Sequence, residues 1–598
     1  MCVQHGVAVG DPLPEGNLYG DAMVTDAERP GFPEKRETRF FAKNLVSDLL
    51  WLFFLALTVR LIVAVIIRRP GYMDTAYYAA GAVRLAQGDG LSEPFLWHYL
   101  DDPVGLPHPG FLYWMPLPSL LAAPFAALFS NLQSPISNLH YLPGSFFALQ
   151  IPFVFLAALF PLVGYIVAWQ TMGVRRHAWV AGLLTLFSGL FFPYWTLPET
   201  FTPFALFGSL ALWLAGNWRL DIGNWKLETG RWLLVGLLVG LAHLTRADGI
   251  LLLPVVILAL LARPLSCTTY HARRFVICHL SFVIVHCSLV VLGYLLTMGP
   301  WFLRNLSVIG LPLSPAGTKT LWLRTYDDLF CYGCDLSLRS YLAWGWLEIA
   351  RSKLWATGVN LERFLAEDCL IFLLPLVIVG LYRLHRRLPF TLSIVYLCLV
   401  YLAHSLAFTF PGPRGGFFHA SGLALPFLFA ATMEGLDATV GWASRRRRWN
   451  LRQAQTVFAT ATVVAAVALS GYAMAGKLPA WSQDADQAYQ EVGAWLDAHG
   501  VPESTIIMVG NPPGFWYHVR RPAVVVPNAG VDVLLQVANR YDVGYMLLDW
   551  NRPVPLVELY AGETTHPLLQ PVAVWGEGSE RVVLFRVETM WSGSAYPE

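Results

Sequence analysis

Asp74 is a carboxylate a few residues past the end of an apolar run of membrane length. The run "LLWLFFLALTVRLIVAVII" (Leu49–Ile67) leads into "RRPGYMDTAYY", which places the acid at the lip of a bilayer with Tyr77 beside it. A carboxylate there can accept a proton from a hydroxyl, and an aromatic ring can carry the C–H face of a sugar. The same polar stretch continues into "LWHYLDDPVGLPHPGFLYWMPLPS", which adds Asp101, Asp102 and His108 among Trp, Tyr and Pro. Carboxylates interleaved with rings suit carbohydrate. An interfacial aromatic belt with solvated acids gives the same composition, so the stretch alone leaves both readings open.

Charges inside apolar runs form a second set. "GLAHLTRADGILLLP" places His243, Arg246 and Asp248 between two apolar segments. Charges at that depth cost a few kcal/mol each, on the order of 3, and usually line a functional cavity. Equally, Arg246 and Asp248 could pair across a helix break, with Asp248 as N-cap of the next segment. Arg60, inside the first run, reads as an internal structural partner. Arg304 in "GPWFLRNLSVIGLPLSP" and Arg414 in "FPGPRGGFFHASGLALP" follow or join apolar runs. Guanidinium groups grip phosphate oxygens two at a time, so two of them at headgroup height fit a lipid phosphate, as they fit ordinary headgroup contact. Cys331 and Cys334 in "CYGC" lack the second pair of a zinc site; a local disulfide or no role remains.

The elements that must position these residues are membrane helices. The chain has 598 residues, 56% hydrophobic and 14% charged, against about 25% charged in soluble proteins. Its mean hydropathy is +0.49. A polytopic α-helical membrane protein follows. A net charge of +1 offers no field for nucleic acid. Apolar segments fall at 47–67, 111–130, 146–169, 178–196, 200–216, 231–245, 247–262, 275–297, 367–384, 390–410, 416–437 and 455–475, about a dozen in all, several short for the roughly 20 residues a span needs. Residues 1–44 read as a disordered cytoplasmic N-terminus, because Lys35, Arg36, Arg39 and Lys43 precede the first span. Residues 45–476 form the membrane domain, with outer loops 68–110 and 298–366. "HRR" (385–387) and "RRRR" (445–448) belong in the cytoplasm, which puts Asp74, Arg414 and everything after 477 outside. "RRH" (175–177) and 263–274 also want the cytoplasm. All are satisfied only if one early segment, such as 111–130, does not cross fully; alternatively, 231–262 is a single broken crossing and Arg175 and Arg176 sit outside.

Residues 477–598 read as an extracytoplasmic α/β domain. "DADQAYQEVGAWLDAHG" is an amphipathic helix ending at a glycine. "STIIMVG", "AVVVP", "VGYMLLD" and "ERVVLFRVE" are strands, and "GVDVLLQVANRYD" is a helix. "NPPGFWYHVRRP" is expected to be a loop that exposes Phe515, Trp516 and Tyr517. No nucleotide fingerprint or P-loop occurs, so neither an ATPase nor a nucleotide-sugar enzyme is supported.

The order of "MDTAYYAAGAVRLAQGDG", "LPHPGFLYWMPLPS", "HLTRADGILLLP" and "GPWFLRNLSVIGLP", together with the appended outer domain, resembles the GT-C superfamily of integral-membrane glycosyltransferases. The nearest branch is that of the protein O-mannosyltransferases and aminoarabinose transferases. The resemblance covers roughly residues 45–440; no single motif is specific, but their order is. It implies a polyprenyl-phosphate sugar donor, transfer at the outer face of the cell membrane, and a glycan, lipid or protein acceptor. It implies that Asp74 is the catalytic base; beside it, the reading of the residues themselves sets Arg304, Arg414 and Arg246 toward the donor phosphate and Tyr77, Asp102, His108, Glu199 and Asp248 toward substrate. Relatives often carry a second acid directly beside the first, where this chain has Thr75. That departure weakens a two-carboxylate metal site, although a divalent cation stays open, with Asp101, Asp102 or Glu199 as the remaining sources of a second acid. A lipid or glycan transporter would call for internal repeats, and "MDTAYY" and "LTRADG" have no second copy. A non-catalytic scaffold leaves the acid at the lip and the arginines unexplained.

Overall fold

The computed structural model describes residues 35–131, 144–217, 225–262, 272–482, 485–578 and 581–588. Most of the segment 1–44 and part of 263–274 lie outside the described residues. The chain divides into two compact units, Met1–Leu50 and Trp51–Glu598. The second holds the site.

Apolar composition sets the helices. They are α1 (Lys35–Ile66), α2 (Met73–Gln87), α3 (Leu117–Asn131), α4 (Gly144–Met172), α5 (Arg175–Leu186), α6 (Phe201–Gly216), α7 (Trp225–Thr245), α8 (Leu252–Leu261), α9 (Ala272–Ile309), α10 (Trp346–Arg363), α11 (Leu374–Leu384), α12 (Leu388–Leu402), α13 (Leu425–Arg447), α14 (Leu451–Ser482), α15 (Ala485–Ala498), α16 (Pro512–Val519) and α17 (Val531–Tyr541); single turns are unlabelled. Among the described residues six helical segments are long and apolar enough to cross a membrane, and four shorter apolar helices lie among them. Helix α3 has 15 residues, about 22 Å, less than the roughly 30 Å of a bilayer core. It packs on α2, with Ser119 Oγ donating to the Tyr78 carbonyl at 2.8 Å.

Two irregularities in the bundle matter for the site. Helix α7 stops at Arg246, whose backbone is extended (φ −149°, ψ 138°), and the chain turns back through a 3-10 turn, Ala247–Leu251, into α8. Helix α5 ends at Leu186, and the buried Arg60 of α1 donates Nη2 to the Leu186 carbonyl at 2.8 Å. A cation there satisfies a carbonyl that the helix end leaves open and meets the negative end of its dipole. Helices α11 and α13 lie backbone to backbone because Gly380 faces the Ala431 carbonyl and Gly435 faces that of Leu376.

After Ser482 the chain builds most of a six-stranded sheet of order β2-β5-β4-β6-β8-β7. Strands β4 (Ile506–Val509), β5 (Ala523–Val525) and β6 (Val543–Leu548) are parallel, while β8 (Val582–Val587) and β7 (Leu569–Trp575) are antiparallel. Phe515 of α16 packs with Ile507, Val509 and Ala523 on one face; Leu534 and Val537 of α17 pack with Met508, Val524 and Met546 on the other. The sixth strand is not from this region. It is β2, Phe95–Leu96 of the first polar loop, parallel to β5; a second two-residue pair, β1 (Ser92–Glu93) with β3 (His108–Pro109), folds that loop. The stretch expected as an exposed loop is helix α16. Asn511 caps it by accepting from Gly514 N at 3.1 Å, and prolines occupy its first turn, where their missing N–H costs nothing. Phe515 and Trp516 are consequently buried, with Trp516 facing Phe95 at 6.3 Å between rings.

Candidate functional site

Asp74 lies in the first turn of α2, where the helix dipole favours a negative charge. Thr75, the next residue, points into the core and is fully buried, because successive helical side chains diverge by about 100°. A second acid at that position would therefore face away from Asp74. The second carboxylate comes from elsewhere. Glu199, in the segment between α5 and α6, is fully buried, and ligand atoms of Asp74, Glu199 and His419 all lie within 4.8 Å of one another.

Each partner is held. Tyr72 donates its hydroxyl to Glu199 Oε2. His419 Nδ1 lies 3.2 Å from Glu199 Oε1 and 2.9 Å from Thr200 Oγ1, and its ring stacks on Phe201 at 3.8 Å. Burial pushes the Asp74 carboxyl up to about 6, partly opposed by the Arg246 charge. Burial, reinforced by the Asp74 charge, holds Glu199 well above the usual carboxylate range. Two carboxylates and an imidazole form a donor set that suits a divalent cation such as zinc or manganese. Glu199 Oε1 accepts no hydrogen bond among the described residues, which leaves a lone pair for an ion.

Cations surround this cluster at different degrees of freedom. Arg246 is committed: Nε and Nη2 grip Asp248 at 3.0 and 2.7 Å, and His404 Nε2 lies 3.1 Å from the same carboxylate. Arg363, in the last turn of α10, donates to Glu367 at 2.6 Å and to the Pro413 carbonyl at 2.9 Å. Arg414 is exposed, above the Tyr326 ring at 5.0 Å. Lys477, also exposed near the end of α14, lies 5.9 Å from the Tyr194 ring.

Other residues singled out in the sequence are engaged elsewhere. Tyr77 donates to the buried Glu93. His108 Nε2 is 3.0 Å from the Phe95 carbonyl. Arg304 donates to the Leu91 carbonyl at 2.8 Å and to Asn305 at 2.9 Å, and so braces the first loop. Asp102 accepts from Tyr541 of α17 at 2.9 Å. Cys331 and Cys334 are disulfide-bonded. Sequence reasoning missed His419, Tyr72, Arg363 and Lys477. The one available signal was the placement of His419 five residues beyond Arg414, in the same bend between apolar runs.

No protein-family model matches the chain, and no curated protein matches it. Solved structures do. ArnT from Cupriavidus metallidurans bound to undecaprenyl phosphate superposes with a TM-score of 0.50 at 14% identity, over 93% of this chain and 99% of that one. The fold is that of the GT-C membrane glycosyltransferases. The archaeal oligosaccharyltransferase AglB from Archaeoglobus fulgidus, in complex with an inhibitory peptide and a dolichol-phosphate, matches with a TM-score of 0.50 at 13% identity, over 86% of this chain and 70% of that one. The Archaeoglobus fulgidus oligosaccharyltransferase complexed with zinc and sulfate matches with a TM-score of 0.50 at 14% identity, over 85% and 69%.

Proposed function

We propose that this protein is a membrane glycosyltransferase that moves a sugar from a polyprenyl-phosphate donor to an acceptor hydroxyl at the extracytoplasmic face, with inversion. One observation carries the reading: Asp74, Glu199 and His419 converge at one end of a GT-C fold. Similar folds hold dolichol-phosphate and undecaprenyl phosphate, which favours a donor of that class.

Asp74 is the base. It removes the acceptor's proton as the acceptor oxygen attacks the anomeric carbon, and the lipid phosphate leaves from the opposite side. A single displacement inverts the centre. Arg414, which has no ion pair among the described residues, and Lys477, whose charge also acts on Glu367, receive the departing phosphate, and Arg363 adds to the same field. Arg246 acts through charge: it opposes the burial that would keep Asp74 protonated. Asp74, Glu199 and His419 would hold a divalent cation, which when bound supplies positive charge beside the phosphate. The sheet-bearing region, which takes a strand from the first loop, positions acceptor or loop and carries no chemistry of its own.

Reconstitution with radiolabelled polyprenyl-phosphate sugars tests this. Transfer or slow donor hydrolysis by the intact protein, lost in Asp74→Asn while donor binding persists, is the expected result. Near-normal turnover by Asp74→Asn removes Asp74 as the base.

A further inference from the structure

The far end of the bundle contains a second polar site. A cavity of about 500 Å³ opens there between four helix ends, lined by Thr171 and Met172 of α4, His177 of α5, Arg383 of α11, Glu434 of α13 and Arg387. Glu434 is 15 residues beyond His419 in one continuous span, Gly412–Arg447. That separation is about 22 Å along the axis, more than half of the roughly 30 Å bilayer core, so the cavity lies past the midplane from Asp74, toward the opposite leaflet. We propose that this cavity binds the phosphate of an anionic phospholipid in the leaflet opposite the Asp74 site.

The charges in the cavity are arranged to leave a positive surplus. Asp437 is neutralised from two sides: Arg176 Nη2 reaches its two oxygens at 2.7 and 2.6 Å, and His177 Nε2 is 2.7 Å away. Glu434 is neutralised by Arg383 at 2.6 Å. The Arg387 guanidinium has no anionic partner among the described residues and is exposed. The first turn of α5, which contributes His177 to the lining, carries no side-chain cap, so the positive end of its dipole adds to the surplus. A phosphodiester answers it, because it accepts a forked bond from Arg387. Exposed aromatic side chains mark the same end of the bundle as an interface: Tyr382 is 78% exposed and Trp442 52%, as expected of rings at headgroup depth. Basic pockets between membrane helices are a known setting for headgroup capture.

Purified full-length protein in nanodiscs of phosphatidylcholine, with and without phosphatidylglycerol, tests the proposal through melting temperature and lipid retention in native mass spectra. Phosphatidylglycerol is expected to raise the melting temperature saturably. Arg387→Gln should weaken its retention about tenfold, the loss of one charge-assisted contact. Arg448→Gln removes the same charge outside the cavity and should leave retention unchanged. Equal effects of the two variants would reduce the finding to diffuse attraction and overturn the site. So would equal melting in both lipids. A shift reproduced by inorganic phosphate in phosphatidylcholine alone would make the cavity a free-anion site and overturn the lipid assignment. Arg387→Lys keeps the charge, and partial retention by that variant supports a phosphate contact without depending on how Arg387→Gln folds.

Discussion

At the residue scale, the role proposed for Asp74 carries a cost. A base must be ionised to act, and burial places its carboxyl near 6. Transfer should therefore show an acid limb centred near pH 6 in the rate profile of the metal-free protein, and Arg246→Met should move that limb to higher pH. A limb below pH 5 would mean that another group is titrating. The same shift acts on stability. An unfolded Asp titrates near 3.9, so the stability associated with protonated Asp74 is fully present below about pH 4 and is lost as pH rises through 6. Asp74→Asn should melt higher than the wild type at pH 8 and equally at pH 4, while its transfer rate falls about 100- to 10,000-fold. Equal melting at pH 8 would show that Asp74 is not desolvated. His419→Ala should lower the zinc or manganese retained after dialysis, measured by elemental analysis, without moving the donor affinity of the dialysed protein.

At the element scale, the contact between α11 and α13 holds the bundle together between its two polar ends. Gly380 and Gly435 allow backbone to meet backbone, the close approach that small residues permit in membranes. A methyl group at either would press on a carbonyl oxygen rather than on a side chain that could swing away. Gly380→Ala and Gly435→Ala should each cost about 1–3 kcal/mol, read as a lower melting temperature in detergent. Gly471→Ala, where the added methyl meets nothing, should be neutral. If Gly380→Ala is also neutral, the helices are not in that contact.

At the scale of the whole molecule, the sheet is a joint between distant parts of the chain. Strand β2 pairs with β5, Tyr99 donates to the Val525 carbonyl, Asp102 accepts from Tyr541, and Asn528 N donates to the Phe330 carbonyl at 2.8 Å. The loop that leads from α2 is thus folded onto the C-terminal region. Truncation after Ser482, which keeps the ring contacts of Trp481 with Tyr72 and Tyr194, should make residues 88–105 the first site of limited proteolysis. It should lower transfer to acceptor more than donor hydrolysis. Unchanged cleavage there would mean that the loop folds without its sheet.

How much of this was legible in the sequence depends on the range of each interaction. Apolar runs of about 20 residues, the basic clusters after α11 and at the end of α13, and the alternation of the strands are local signals, and they determined the helical membrane region, the α/β character of the C-terminal region and the placement of Asp74 just past α1. Local cap chemistry was equally present at Asn511–Pro513, yet the aromatic residues beyond it obscured the short helix. Only the tertiary structure decided the partners. Glu199 and His419 reach Asp74 across 125 and 345 positions of chain, and Phe95–Leu96 pairs with a strand more than 400 residues away. A fully buried carboxylate, a histidine in a bend and a two-residue strand have no periodicity to announce them. Their meaning arises from what the packed helices bring beside them.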